Sequence, residues 1–165
     1  MIDIKLLEQL CLCNGISGDE GNVRNLIINE IKDCADDIKT DNLGNLIVFK
    51  KGKKSAKSKL MVSAHMDEVG LMVTDITSDG YLKYDEVGGI DRRVLPLKRV
   101  CDGRNGLNGV IGVKPIHLTN GDEKTAVPKM NDMYIDIGAE SREDALKYVN
   151  YGDGCNFEGD FKSNG

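Results

Sequence analysis

The spacing of the apolar residues changes at Gly70, and this change constrains the fold more than any other feature of the chain. Before it the spacing is helical. Leu6, Leu7, Leu10 and Cys13 share one stripe, predicting a helix from Ile4 to Cys13 that Asn14-Gly15 ends. Ser17-Gly18-Asp19-Glu20 has the form of a capping box, and Val23, Leu26, Ile27, Ile31, Cys34 and Ile38 follow at helical intervals. A long amphipathic helix over about 18–36 is expected. Strands are predicted at Leu46-Ile47-Val48-Phe49 and at Lys59-Leu60-Met61-Val62-Ser63-Ala64. The second has an unbroken apolar stretch, as in a strand covered on both faces. Helices leading into such a strand predict a layered α/β unit.

After Gly70 the reading is strand, turn, strand: Leu71 to Ile76, Ser78-Asp79-Gly80, then Tyr81 to Tyr84. Further strands fit Gly109 to Val113 and Met133 to Ile137, and Ser141-Arg142-Glu143-Asp144 opens a short helix through Val149. The fold class is therefore α/β before Gly70 and mostly β after it.

Composition narrows the function. No run approaches the ~18 apolar residues of a membrane span, and the first residues lack the basic and apolar regions of a signal peptide. The net charge of −5 argues against charge-driven binding to nucleic acid or anionic lipid. Five irregularly spaced cysteines are no disulfide framework, so they read as reduced, small apolar residues in a cytoplasmic protein. The lysines between 50 and 59 lack interleaved aromatics and read as a solvated loop. There is no P-loop, no strand-borne G-x-G-x-x-G and no G-x-S-x-G.

The stretch most able to carry chemistry is Ser63-Ala64-His65-Met66-Asp67-Glu68-Val69-Gly70, at the C-terminal end of an expected strand, where open α/β sheets place ligand sites. Residues two apart in an extended chain face the same side, which makes His65 and Asp67 neighbours. A metal-bound imidazole commonly donates its other N–H to a carboxylate, so H-x-D can be a ligand with its orienting acid. The plain alternative is a polar pair with no ligand. A catalytic zinc takes three protein ligands, and the chain has only one other histidine, His117, which reads as a half-buried strand residue.

Six ordered segments add what spacing cannot. They are Gly15-Ile16-Ser17-Gly18-Asp19-Glu20 with Val23-Arg24, Asp41-Asn42-Leu43-Gly44-Asn45, Ala64 to Val73, Gly88-Gly89-Ile90-Asp91, Gly109 to Gly112 with Pro115 to Leu118, and Tyr134 to Glu143. In these the chain resembles the N-terminal half of the tetrahedral aminopeptidases, the glutamyl and deblocking aminopeptidase family of two-metal exopeptidases, some of which are labelled endoglucanases.

The resemblance implies that His65 is a metal ligand and that Asp67 is the catalytic-site acid orienting it, with zinc or cobalt as the divalent metal. It implies that residues 1–69 begin a hydrolase-like α/β catalytic domain. Residues 70–160 would form an inserted β-rich dimerisation domain, PDZ-like or barrel-like, and 161–165 the return to the catalytic domain. Short peptides with a free N-terminus would be the substrates, and homo-oligomers from dimer to dodecamer the assembly. Ser17 and Arg24 are assigned to helix capping and surface. Family members are about twice this length, and their other metal ligands and general base have no counterpart here. The chain taken alone is thus expected to be inactive or nearly so, with uncovered apolar faces at Leu60 to Ala64. The rival expectation is a non-catalytic oligomerisation or binding module.

Overall fold

The computed structural model describes residues 3–54, 57–102, 105–114 and 126–162. Helix α1 spans Ile4–Leu12, and the Asp3 carboxylate caps it by accepting from the Lys5 and Leu6 amides at 3.0 and 3.2 Å. Helix α2 spans Gly21–Ile31 and is shorter at both ends than the periodicity predicts. At the start, Gly18 has φ +92° and the Ser17 hydroxyl is engaged elsewhere, so Ser17 is no cap. At the end, Cys34 and Ala35 both donate to the Ile31 carbonyl, and the Asp36 amide turns away to the Phe49 carbonyl. That bond starts a hairpin of β1 (Asp37–Thr40) and β2 (Leu46–Phe49), with Thr40 opposite Leu46. Strand β1 was not expected, because Asp-Ile-Lys-Thr carries one apolar residue. Its turn is held by Asp41, whose Oδ1 accepts from the Leu43 and Asn45 amides at 2.9 Å. The Asn45 side-chain amide first, and these backbone bonds with it, hold the Asp41 carboxyl below the usual carboxylate range.

Residues 59–64 form neither helix nor strand and join no ladder among the described residues. The expected strand covered on both faces is not present there. Leu60, Met61 and Val62 are 91%, 87% and 85% exposed. An apolar sequence lowers the free energy only where neighbours cover it, and no described strand lies alongside.

From Gly70 onward, six antiparallel strands among the described residues close into a barrel: β3 (Gly70–Ile76), β4 (Leu82–Val87), β5 (Arg99–Asp102), β6 (Asn108–Val113), β7 (Met133–Asp136) and β8 (Gly154–Phe157). Their order around it is β3-β4-β7-β6-β5-β8. Of the PDZ-like and barrel-like expectations, this is the closed barrel. The interior alternates as period 2 requires. In β3, Leu71 and Val73 point inward, a bulge between Val73 and Asp75 shifts the phase, and Ile76 returns to the core. Leu82, Tyr84, Val100, Ile111, Met133, Ile135 and Cys155 complete it, and Leu95, Ala145 and Val149 join the same core. The short helix α3 (Arg142–Ala145) is capped by Ser141, whose hydroxyl accepts from the Asp144 amide at 3.2 Å. None of the five cysteines is in a disulfide, and two of them, Cys11 and Cys34, are exposed rather than packed as small apolar residues.

One backbone feature yields a stability prediction. Leu97 has φ +64°, the left-handed region, with its amide bonded to the Ile111 carbonyl at 2.9 Å and its side chain 76% exposed. That conformation costs an L-residue about 1–2 kcal/mol, against about 0.5–1 kcal/mol of extra entropy lost on folding by a glycine. Leu97→Gly should therefore raise stability by about 0.5 kcal/mol, read as a Tm increase of about 1–2 °C. An unchanged or lower Tm refutes this.

Candidate metal centre

The site is assembled by a short parallel bridge between Ile16 and Glu68. The Glu68 amide donates to the Gly15 carbonyl at 2.9 Å, and the Ser17 amide donates to the Glu68 carbonyl at 3.3 Å. Ile16, 3% exposed, fills a slot floored by glycines. A Cβ on Gly70 would lie 2.3 Å from Ile16 Cγ2, and one on Gly154 would lie 2.5 Å from Ile16 Cδ1. Bare backbone is what lets the barrel approach this residue. The other flank is held by Asn156 of β8, itself 2% exposed, whose amide donates to Glu68 Oε1 at 2.7 Å.

His65 and Asp67 are brought together in this frame. His65 Nδ1 lies 3.0 Å from Asp67 Oδ1 and 2.9 Å from the Asp67 main-chain oxygen. Both partners are acceptors, so the neutral ring carries its proton on Nδ1. The basic nitrogen is then Nε2, on a side chain 85% exposed. Asp67 Oδ2 accepts from the Ser17 hydroxyl. The Ser17 hydrogen bond first, and that of His65 second, hold the Asp67 carboxyl below its ordinary range. The pair borders a cleft of about 150 Å³ that Glu20, Leu43, Asn45 and Ala64 also line.

An exposed imidazole with a fixed tautomer fits one position of a metal's ligand set. Among the described residues no group of three or more His, Cys, Asp or Glu side chains is placed to hold a metal ion. The reading of His117 lies outside the described residues. Arg24, assigned to the surface, instead donates from Nη1 to the Gly44 carbonyl at 3.0 Å and ties α2 to the β1–β2 turn. Sequence reasoning missed the roles of Ser17, Glu68 and Asn156. For Ser17 the only signal was its place in the first of the six ordered segments; its separation of 50 positions from Asp67 hides the contact.

No helix among the described residues is long and apolar enough to cross a membrane. A sequence model of the M42 glutamyl aminopeptidases matches residues 44–164. The lysyl aminopeptidase of Pyrococcus furiosus is 37% identical over 150 residues, covering 88% of this chain and 42% of that protein. A Thermotoga maritima structure described as an endoglucanase superposes with a TM-score of 0.83 at 42% identity, covering 96% of this chain and 46% of its own. The TET1 peptidase of Pyrococcus horikoshii, which can assemble into a tetrahedron or a large octahedral shell, gives 0.81 at 44% identity, covering 94% and 46%. The chain thus spans less than half the length of each of these relatives.

Proposed function

Because the chain belongs to the M42 glutamyl aminopeptidase family, we propose that it is the N-terminal portion of a cytoplasmic, metal-dependent aminopeptidase that removes N-terminal residues from short peptides. The observation carrying this reading is the His65–Asp67 pair, with a single tautomer and Nε2 on an exposed side chain. His65 would supply one ligand to a divalent ion, zinc or cobalt, and Asp67 would orient it. Such an ion supplies Lewis acidity toward a peptide carbonyl and water. The residues of this chain orient the imidazole and border the cleft. Further ligands from outside the described residues are needed to hold an ion tightly, so the 165 residues on their own are proposed to have little or no turnover.

The test is calorimetric titration of the chain with Co²⁺ or Zn²⁺, alongside His65→Ala. Removing a ligand should weaken binding by at least the ~10-fold that an outer-shell change produces. Equal affinity in both proteins, or ordinary peptidase turnover by the chain alone, overturns the corresponding part of the reading.

The closed barrel favours a second reading. Among the described residues, every buried apolar side chain apart from Ile16 and Val23 belongs to the barrel core. A unit so self-contained could serve as the dimerisation domain of a homo-oligomer, as the assemblies of the TET1 relative suggest. Light scattering separates the readings: a stable oligomer that persists in His65→Ala and binds no metal favours the assembly module.

A further inference from the structure

We propose that Ser17 is a positioning residue for the candidate metal ligand, holding Asp67 so that Asp67 holds His65 with Nε2 as its basic nitrogen. The inference rests on the metal-site reading above and deepens it. A carboxylate bonded through one oxygen still turns about its terminal torsion, which is broad and soft. Asp67 is bonded through both: Oδ1 takes the His65 ring N–H and Oδ2 takes the Ser17 hydroxyl. The two contacts fix the plane of the carboxylate, and through it the tilt of the ring.

Ser17 is itself rigidly placed. Its amide is bonded to Glu68, its predecessor Ile16 is wedged between Gly70 and Gly154, and Asn156 anchors Glu68 from the barrel side. Helix capping does not account for the serine, because α2 begins at Gly21 with Glu20 at its N-cap and the Ser17 hydroxyl donates to Asp67 instead. The structure therefore assigns a continuous path from barrel to ligand: Asn156–Glu68 and Ile16 set the loop, Ser17 sets Asp67, and Asp67 sets His65.

The experiment compares Ser17→Ala, Ser17→Thr and Asp67→Asn in the whole chain. It reads the His65 tautomer from imidazole ¹⁵N shifts without metal, and Co²⁺ affinity by titration. Exchange of the Glu68 amide, which bonds Gly15, serves as the control for loop structure. Ser17→Ala should give a mixture of Nδ1–H and Nε2–H forms and raise the Co²⁺ Kd about tenfold. Ser17→Thr should keep the wild-type tautomer and affinity. Adding Ser17→Ala to Asp67→Asn should change little more, since both act through one contact.

A single Nδ1–H tautomer with unchanged affinity in Ser17→Ala overturns the proposal. So does full additivity with Asp67→Asn. A tautomer change accompanied by lost Glu68 protection also counts against it, because that marks a merely structural role. If the wild type binds no Co²⁺, the metal reading fails, while the tautomer measurement still decides the role of Ser17.

Discussion

Gly70→Ala is expected to destabilise the chain by about 2–3 kcal/mol, the upper part of the range for overpacking a close contact. The added Cβ would sit 2.3 Å from Ile16 Cγ2 and 2.9 Å from the Cys155 carbonyl oxygen. Neither obstacle can easily withdraw. Ile16 is already pressed against Gly154, and Cys155 is held in β8 opposite Leu71. The damage should centre on the Ile16–Glu68 bridge, so exchange at the Ser17 and Glu68 amides should rise more than exchange in β6 and β7. Ile16→Ala in the Gly70→Ala background should relieve part of the clash. The Cys155 oxygen remains, so relief stays incomplete. A double-mutant cycle should then show a favourable coupling of about 1 kcal/mol. A Gly70→Ala protein within about 0.5 kcal/mol of wild type by urea unfolding, the range of an ordinary surface change, would show that the slot is looser than its geometry.

Leu71→Ala should cost about 3–4 kcal/mol, within the range for deleting a fully buried leucine. Leu71 is 0% exposed and lies in β3, which pairs with β4 on one side and β8 on the other. Its cavity would open in one contiguous core that also holds Val73, Tyr84 and Ile111. Here protection should fall across the whole barrel, unlike the localised loss at Gly70, because a core cavity weakens every strand that shares it. A loss below about 1 kcal/mol would contradict the closed, well-packed interior.

The contrast between these neighbours shows what could be read in advance. That Leu71 lies in a strand follows from the apolar run Leu71 to Ile76, and the turn at Ser78-Asp79-Gly80 from its composition. The glycine requirement at Gly70 does not follow, because it arises from a side chain 54 positions earlier. Strands β1, β5 and β8 were illegible for a related reason. Asp-Ile-Lys-Thr, Arg-Val-Cys-Asp and Gly-Cys-Asn-Phe are too short and too polar to carry a period, and only their ladder partners make them strands. The stretch over 59–64 divides the two levels: its apolar run predicts a strand covered on both faces, which is not there, whereas its exposure agrees with the uncovered apolar faces that the family resemblance implies for this chain. Burial is a property of what lies beside a segment.

At the candidate site the proximity of His65 and Asp67 is local and was legible, since a spacing of two in extended chain suffices. Ser17, Glu68 and Asn156 were not, because hydrogen bonds across 50 and 88 residues leave no periodic trace. The amino-acid order by itself determined the short-range features: where apolar spacing turns from helical to alternating, where turns fall, and which imidazole sits two residues from an acid. Tertiary structure alone decided which serine holds that acid, which glycines must stay bare and which strands close the barrel. Local preferences act through neighbouring torsions, whereas these choices depend on atoms that meet only after the chain has folded.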